Sequence, residues 1–231
     1  MDEAGTKHGF SVEKAHEAQL RLAKQIVFED RLPRKIRFVG GVDVAYVGHV
    51  SIGAVAVLDF DSLKLVESQT SFCRTSFPYV PTLLSFREIR PALLSIRKLR
   101  VKPDLFLVDG HGYAHPYRCG FASHLGLIID VPAVGVAKSK LVGEVENVKG
   151  EDRSFIHHRG EIIGAAIATK PESKPIYVSV GHMISLTTAV KIVKQCISIH
   201  RIPEPILKAH QIATAEKRKI NISSTAKTSN K

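Results

Sequence analysis

The sequence predicts an α/β protein whose mixed sheet joins an antiparallel three-strand meander to parallel strands, with flanking helices. Short β-branched runs separated by turn residues fill residues 36–73, which is the pattern of an antiparallel meander. Residues 104–138 then place a helix-like segment between two buried apolar runs, the pattern of a parallel crossover. Helix-like segments before the meander and after residue 185 supply the flanking layer.

Each element follows from its local pattern. We expect an amphipathic helix over 11–28, where Ser11 can cap the first turn of a mixed apolar and charged segment. Gly48 and the pair Asp61-Ser62 supply the turns of the meander. The expected elements after the first helix are strands at 36–46, 50–60 and 63–73, a helix at 83–99 that Pro91 kinks or breaks, a strand at 104–109, a helix at 118–130, strands at 134–138, 154–157, 161–168 and 176–180, and helices at 185–199 and 204–217.

This element order matches a ribonuclease H-like fold. A three-strand meander is followed by helix, strand, helix and strand, and in that fold the first strand is central and carries an acid. The chain shows no internal repeat and no composition break that would mark a linker. We therefore expect one domain over 1–218 and a basic, disordered tail over 219–231.

The charge of the chain favours a polyanionic partner. The formal net charge is +11, and the segment 217–231 holds five basic residues and no acid, so about +6 remains on the rest. A basic surface gains affinity for nucleic acid because it releases counterions from the phosphate backbone. A basic surface kept for solubility, or a thermophile-like Lys and Arg bias, is the alternative.

The cysteines and the N-terminus favour a cytoplasmic protein. Cys73, Cys119 and Cys196 are odd in number, widely spaced and without a CxxC pair, so neither a zinc site nor a disulfide framework is indicated. No signal-like apolar segment follows the start, and the apolar runs are too short to span a bilayer. We expect no membrane association and no obligate protein partner.

Three acids are candidate ligands of a divalent cation. Asp43 lies in the middle of the first strand between two valines, where a charged group is rarely buried unless it is paired or bound to a metal. Asp109 ends the fourth strand, and Glu88 lies in an otherwise apolar helix start. Hard Mg²⁺ or Mn²⁺ prefers such oxygen ligands, so the acids predict a phosphodiesterase centre. Asp43 could instead pair with an internal cation or face solvent on an edge strand, and Glu88 could form a solvated ion pair with Arg87 or Arg90.

Two histidines and a lysine accompany the acids. His115 lies in the glycine-rich loop after the fourth strand, and His210 lies on the last helix. Either could act as general acid or base, or hold a metal-bound water. Lys138, at the end of a buried strand, could bind a phosphate as a point charge, although a solvated lysine beside Lys140 is the alternative. The glycines near 110 and 135 lack the spacing of a dinucleotide or P-loop motif, which argues against an NTPase.

Four ordered blocks resemble the endonuclease V family. They are GVDVAY at 41–46, PYVPTLLSFRE at 78–88, VDGHGYAHPYRCGFASHLGLIIDVPAVGVAKSKL at 108–141 and RIPEPILKAH at 201–210. The resemblance covers nearly all of the chain except its two ends. It implies Mg²⁺-dependent hydrolysis, with Mn²⁺ as a substitute, of the second phosphodiester bond 3′ to a hypoxanthine base in DNA. The products would carry 5′-phosphate ends, and the function would be DNA repair.

The resemblance also implies roles for individual residues. Tyr79, held between Pro78 and Val80, is similar to the family's wedge residue, which fills the gap left when a weakly paired base flips out. Without the resemblance, Tyr79 could equally be a loop aromatic that covers the core. The implied metal-site acids are Asp43, Glu88 and Asp109, with His210 close to the metal and His115 and Lys138 in supporting roles; the implied base pocket is Leu84, Gly110, Gly112, Gly120 and Phe121.

Four positions depart from the family pattern, and two alternatives stay open. Thr82 stands where glycine is typical, Leu207 where arginine is usual, and His111 and Tyr113 replace commoner residues. Since none of these is a proposed metal ligand, we expect an active enzyme. The alternatives are an endoribonuclease directed at inosine in RNA, and a non-catalytic nucleic-acid binding module whose acids are only structural.

Overall fold

Nine strands form one mixed sheet in the computed structural model, which describes residues 11–147, 153–170 and 173–228. The strands are β1 (Phe38–Val47), β2 (Val50–Asp59), β3 (Leu65–Arg74), β4 (Leu105–Asp109), β5 (Ala133–Ala137), β6 (Glu144–Asn147), β7 (Arg153–His158), β8 (Glu161–Ile167) and β9 (Ile176–His182). The helices are α1 (Val12–Ala23), α2 (Leu84–Ile96), α3 (Phe121–Ile129), α4 (Leu186–Gln195) and α5 (Glu204–Thr228).

The strand order is β3-β2-β1-β4-β5-β9-β8-β7-β6. The meander β1–β3 is antiparallel, β4 and β5 add parallel to β1, and β9 returns antiparallel beside β5. The predicted ribonuclease H-like mixed sheet is therefore confirmed. Register pairs Val42 with Val108 across β1 and β4. The next residue of each strand is an acid, so Asp43 and Asp109 lie side by side.

The sheet buries a separate apolar core on each face. Leu105 and Leu107 of β4 belong to the core that α4 and α5 cover, whereas Phe106 and Val108 belong to the core under α2 and α3. This alternation is the period of two expected of a strand covered on both faces. A Cβ added at Gly41 would lie 1.9 Å from the Pro205 carbonyl oxygen, so only glycine lets α5 rest on β1. Close contact between α5 and β1 fixes the position of every later residue of the helix.

Three local expectations differ from the structure. Pro91 does not break α2, which continues to Ile96 with the Pro91 carbonyl accepting a hydrogen bond from the Ser71 hydroxyl at 2.7 Å. The strand β6 was not expected, because its sequence EVEN is short and largely charged. Helix α5 runs to Thr228 rather than ending near 218, so the segment expected to be a disordered tail is helical up to that residue. Residues 229–231 lie outside the described part of the chain.

No helix in the described ranges is long and apolar enough to cross a membrane.

Candidate active site

Two carboxylates and one imidazole converge at the ends of β1 and β4. Asp43, Asp109 and His210 each place one ligand atom within 4.8 Å of those of the other two. Asp43 is only 9% exposed, and its second carboxylate oxygen lies 2.8 Å from His210 Nδ1. The Val44 amide donates to the other oxygen at 2.8 Å. The parallel register of β1 and β4 brings together two acids that lie 66 residues apart in the sequence. The packing of α5 against β1 adds a histidine 101 residues further along.

Negative charge at this position is only partly compensated by protein groups. Burial, and then the charge of Asp109, raise the pKa of Asp43, while the hydrogen bond from His210 lowers it. Glu88, also buried, has its pKa raised to about 8 by burial and by the charge of Asp43. Carboxylates that resist ionisation because they face one another are stabilised by a cation between them. The donor set therefore fits a hard divalent ion.

Glu88 approaches this cluster from helix α2 but is outside the three-atom group. Its carboxylate accepts a hydrogen bond from the Tyr46 hydroxyl at 3.2 Å. The Arg87 guanidinium lies 4.4 Å from the centre of the Tyr46 ring and donates to the Phe77 carbonyl at 2.7 Å. The solvated ion pair considered for Glu88 is not observed, since its side chain is 7% exposed. Tyr46 instead ties Glu88 to the strand that carries Asp43.

Lys138 completes the polar edge of the sheet. It follows β5, and its ammonium lies 2.5 Å from the Asp109 carboxylate, with 46% of its side chain exposed. Lys140 turns away and donates to the Gly143 carbonyl at 2.5 Å. Lys138 is therefore not a solvated lysine beside Lys140. It offers an accessible positive charge directly beside the acids.

A cavity of about 260 Å³ lies next to these strand ends. Tyr79, which is 71% exposed, lines it, so this aromatic is not a cover of the core. Gly110 and Gly112 are not part of the wall in the described structure. Gly112 instead supports it from behind, where an added Cβ would lie 2.2 Å from the Val180 carbonyl oxygen. The residues of the expected pocket that line the cavity are Leu84, Gly120 and Phe121, and they are joined by Val80, Pro81, Thr82, Ser85, His111, His115, Ser139, Lys140 and Leu141.

Burial disfavours the charged form of both histidines of the cavity. His115 is 3% exposed, and burial lowers its pKa to about 4. Its Nδ1 accepts a hydrogen bond from the Tyr117 amide at 3.2 Å, so Nε2 carries the proton. Burial also lowers the pKa of His111, whose Nε2 lies 3.0 Å from the Ser139 carbonyl. The structure places His115 in the cavity wall and not in the carboxylate cluster.

Helix α1 forms hydrogen bonds to both loops that build the cavity. Gln19 is fully buried, and its amide nitrogen donates to the carbonyls of Thr82 and Cys119, both at 2.9 Å. His16 lies 3.0 Å from the Thr82 hydroxyl and stacks on Tyr117 at 3.8 Å between ring centres. These contacts hold Thr82 at φ +70°, the left-handed region that favours glycine. Sequence reasoning missed Gln19, since nothing local marks a glutamine that bonds 63 and 100 residues away.

Arg118 also links separate segments around the cavity through hydrogen bonds, and sequence reasoning missed it. Its guanidinium donates to Glu161 at 2.9 Å, to the His158 carbonyl at 3.0 Å and to the His115 carbonyl at 3.1 Å. It also lies 5.5 Å from the centre of the Tyr113 ring. The β7–β8 hairpin is thereby joined to the loop that carries His115.

The sheet order and the acids paired at its strand ends define the ribonuclease H-like class of proteins. The Endonuclease V family model matches residues 20–211, a range that includes every residue of the carboxylate cluster and of the cavity. The chain belongs to the endonuclease V family.

Relatives and solved structures agree with this assignment. Endonuclease V of Thermofilum pendens is 45% identical over 210 residues, which cover 90% of each chain. The crystal structure of Streptomyces avermitilis endonuclease V superposes with a TM-score of 0.85 at 32% identity, covering 94% of this chain and 97% of that one. Ciona intestinalis endonuclease V, solved with a 24mer DNA containing an inosine followed by a ribo-adenosine, gives 0.82 at 34% identity, covering 90% and 98%.

Proposed function

We propose that this protein is a divalent-cation-dependent endonuclease that recognises hypoxanthine in DNA and hydrolyses the second phosphodiester bond on its 3′ side, in DNA repair. One observation carries the proposal. The loop that follows Asp109 also builds the wall of the 260 Å³ cavity, so a base held there lies beside the carboxylates. The Ciona relative was solved on DNA that contains inosine, which supports the same substrate here.

The acids of the cluster are the groups that would hold the cation. Asp43 and Asp109 would bind it, with Glu88 beside them, and Mg²⁺ is the ion we propose because carboxylate oxygens suit hard cations, Mn²⁺ being a substitute. When bound, such a cation lowers the pKa of an attacking water and neutralises charge that develops on the phosphate. His210 orients Asp43 through Nδ1 and leaves Nε2 for a proton transfer. Lys138 can bind a phosphate oxygen as a point charge.

The cavity and Tyr79 supply recognition in this proposal. A flipped base leaves a gap in the stack that the exposed Tyr79 ring can fill, and flipping is easiest at a weak pair. Neutral His115, whose proton is on Nε2, can donate a hydrogen bond without adding charge to the cavity. A pure binding module would gain nothing from buried carboxylates that face phosphates, which favours catalysis over that alternative. We also propose a cytoplasmic location, which the three free thiols support.

The test is a nicking assay on a labelled oligonucleotide with one deoxyinosine. We expect a single cut at the second 3′ bond with Mg²⁺, and none with EDTA. Asp43→Ala and Asp109→Ala should each lower the rate by at least about 10³-fold, because removing a cation ligand removes the charge stabilisation of the transition state. Asp61→Asn, an exposed acid paired with Lys35, is the matched control and should cut at the wild-type rate. Normal nicking by both alanine variants would overturn the assignment.

Inosine in RNA is the second candidate substrate. The observation that favours it is the ribo-adenosine that follows inosine in the strand bound by the Ciona relative. Strands of one sequence made as DNA, as RNA, and as DNA with a single ribonucleotide 3′ to the modified base separate the two. Faster cutting of the all-RNA strand would make inosine-containing RNA the main substrate.

A further inference from the structure

A second cleft leaves the active site in the direction of helix α5. It has a volume of about 430 Å³ and begins at Asp43 and His210. The 260 Å³ cavity is lined by other residues, including Ser139 and Lys140 after β5, and β4 with Asp109 lies between β5 and β1 in the sheet. A strand with its base in that cavity and its scissile phosphate at the acids would therefore continue into this cleft. The side chains that α5 contributes to it are His210, Thr214, Lys217, Arg218 and Asn221.

These α5 residues share one face of the helix. Their spacing of four, seven, eight and eleven residues from His210 is that of a single helical stripe. At 1.5 Å per residue, Lys217 and Arg218 lie roughly 10–12 Å along the helix from His210. A nucleic-acid strand in a duplex carries one phosphate per about 3.4 Å of axis, so this length corresponds to about three phosphates.

The two cations of this face are exposed and available. Within the described residues neither Lys217 nor Arg218 has an ion pair or hydrogen bond to another side chain. Lys219 differs, because it pairs with Glu216 at 2.6 Å and lies on the opposite side of the helix from His210. Positive charge is thus directed into a cleft that is continuous with a phosphodiesterase-like centre.

We propose that the α5 face formed by Thr214, Lys217 and Arg218 binds backbone phosphates of the cut strand, on the 3′ side of the scissile bond. The polarity rests on the proposed function, in which the base lies 5′ of the cut. Arg218 can bind a phosphate through two parallel hydrogen bonds, and Lys217 acts as a point charge. Contacts of this kind fix the register of the strand and carry no sequence information. The helix that orients Asp43 through His210 thereby also aligns the strand to be cut.

The first experiment measures DNA binding in EDTA across a salt series. The double variant Lys217→Gln/Arg218→Gln should bind a single-stranded deoxyinosine oligonucleotide about tenfold more weakly, and the slope of log K against log salt should fall by about 1.4. Lys219→Gln is the control; it removes one charge on the other side of the same helix and should behave as wild type. If the double variant matches Lys219→Gln in both affinity and slope, the α5 site is wrong.

A second experiment locates the contact. Single neutral methylphosphonates at the second to fourth phosphates 3′ of the scissile bond should weaken binding by wild type and leave the double variant unaffected. The same replacement 5′ of the hypoxanthine should affect both proteins equally. Equal losses in both proteins at the 3′ positions would overturn the proposal.

Wild-type nicking separates this site from the proposed function. If wild type fails to nick deoxyinosine DNA but the double variant still loses affinity and slope, the phosphate site stands and the proposed function falls. If wild type nicks and the double variant binds normally, the proposed function stands and the phosphate site falls. Equal thermal melting of the two proteins checks that the fold is intact, as expected for two exposed side chains.

Discussion

The carboxyl of Glu88 couples the stability of the cation-free protein to pH. Its pKa is about 8 in the folded chain against an ordinary value of 4.5, mainly because it is buried. Between these two pH values the folded state keeps a proton that the unfolded state has released. The stabilisation that this proton on Glu88 gives the folded state is therefore complete below about pH 4.5, and it is lost as pH rises through about 8.

Glu88→Gln should remove this dependence, since glutamine keeps an acceptor for the Tyr46 hydroxyl and has no proton to lose. We measure the free energy of unfolding by urea in EDTA. As pH rises from 5 to 8, this free energy should rise for the variant relative to wild type by an amount on the order of a few kcal/mol. Glu17→Gln, at an exposed ion pair with Arg21, should follow the wild-type curve. Parallel curves for wild type and Glu88→Gln would contradict a raised pKa.

Single residues differ in how far the sequence reveals them. Asp43 and Asp109 could be predicted because an acid at the centre or end of an apolar strand is visible without a partner. The ion pair between Lys138 and Asp109 could not, since the crossover pattern of 104–138 brings the two strand ends together but does not show that their side chains meet. Thr82 departs from the expected glycine, yet its backbone adopts the φ that glycine would favour. Helix α1 holds it there, through contacts that only the folded chain reveals.

Among the elements, α1 has a larger role than its amphipathic pattern indicates. Gln19 bonds the carbonyls of both cavity loops, so Gln19→Met would remove a donor from Thr82 and leave the buried Cys119 oxygen without this partner. We expect a loss of about 2 kcal/mol in unfolding free energy. Affinity for deoxyinosine DNA should fall, and affinity for undamaged DNA should not, because only the cavity is disturbed.

The chain offers a matched control for this substitution. Gln25→Met makes the same change at an exposed position just after α1 and should leave stability and both affinities unchanged. If Gln19→Met lowered the two DNA affinities by the same factor, the link between α1 and base recognition would be refuted. Urea unfolding and fluorescence anisotropy provide the two measurements.

Long elements with a regular pattern were predictable, and those that depend on partners were not. The meander β1–β3 could be assigned within two residues because its apolar runs are separated by clear turns. The strand β6 is stabilised by pairing with β7, which its own charged sequence does not indicate. The C-terminal part of α5 extends a helix whose earlier residues Ile206, Ala209 and Ala213 are buried, although its own sequence is polar.

At the scale of the whole molecule, the net charge of +11 predicts salt-sensitive binding to nucleic acid. The segment 219–231 contributes Lys219, Lys227 and Lys231 and no acid. Because Lys219 is paired with Glu216, we expect its own contribution to the slope to be small. Deleting 219–231 should lower the salt slope for a single strand by about 1, with no loss of preference for deoxyinosine.

Replacing the same three lysines by glutamine in the full-length chain separates charge from helix length. Both variants should give the same slope in anisotropy titrations if charge is the cause. An unchanged slope in either one would show that the segment does not contact the backbone of the nucleic acid.

The contact of Gly41 with Pro205 has a consequence for protein design. The pairing of Asp43 with His210 is positioned by two backbones in direct contact, not by side chains that could repack. Grafting the acid and the histidine onto another scaffold would therefore fail unless the glycine and the first turn of the helix were transplanted with them. The smallest set of residues to transplant therefore includes Gly41, which lacks a Cβ, as well as the acid and the histidine.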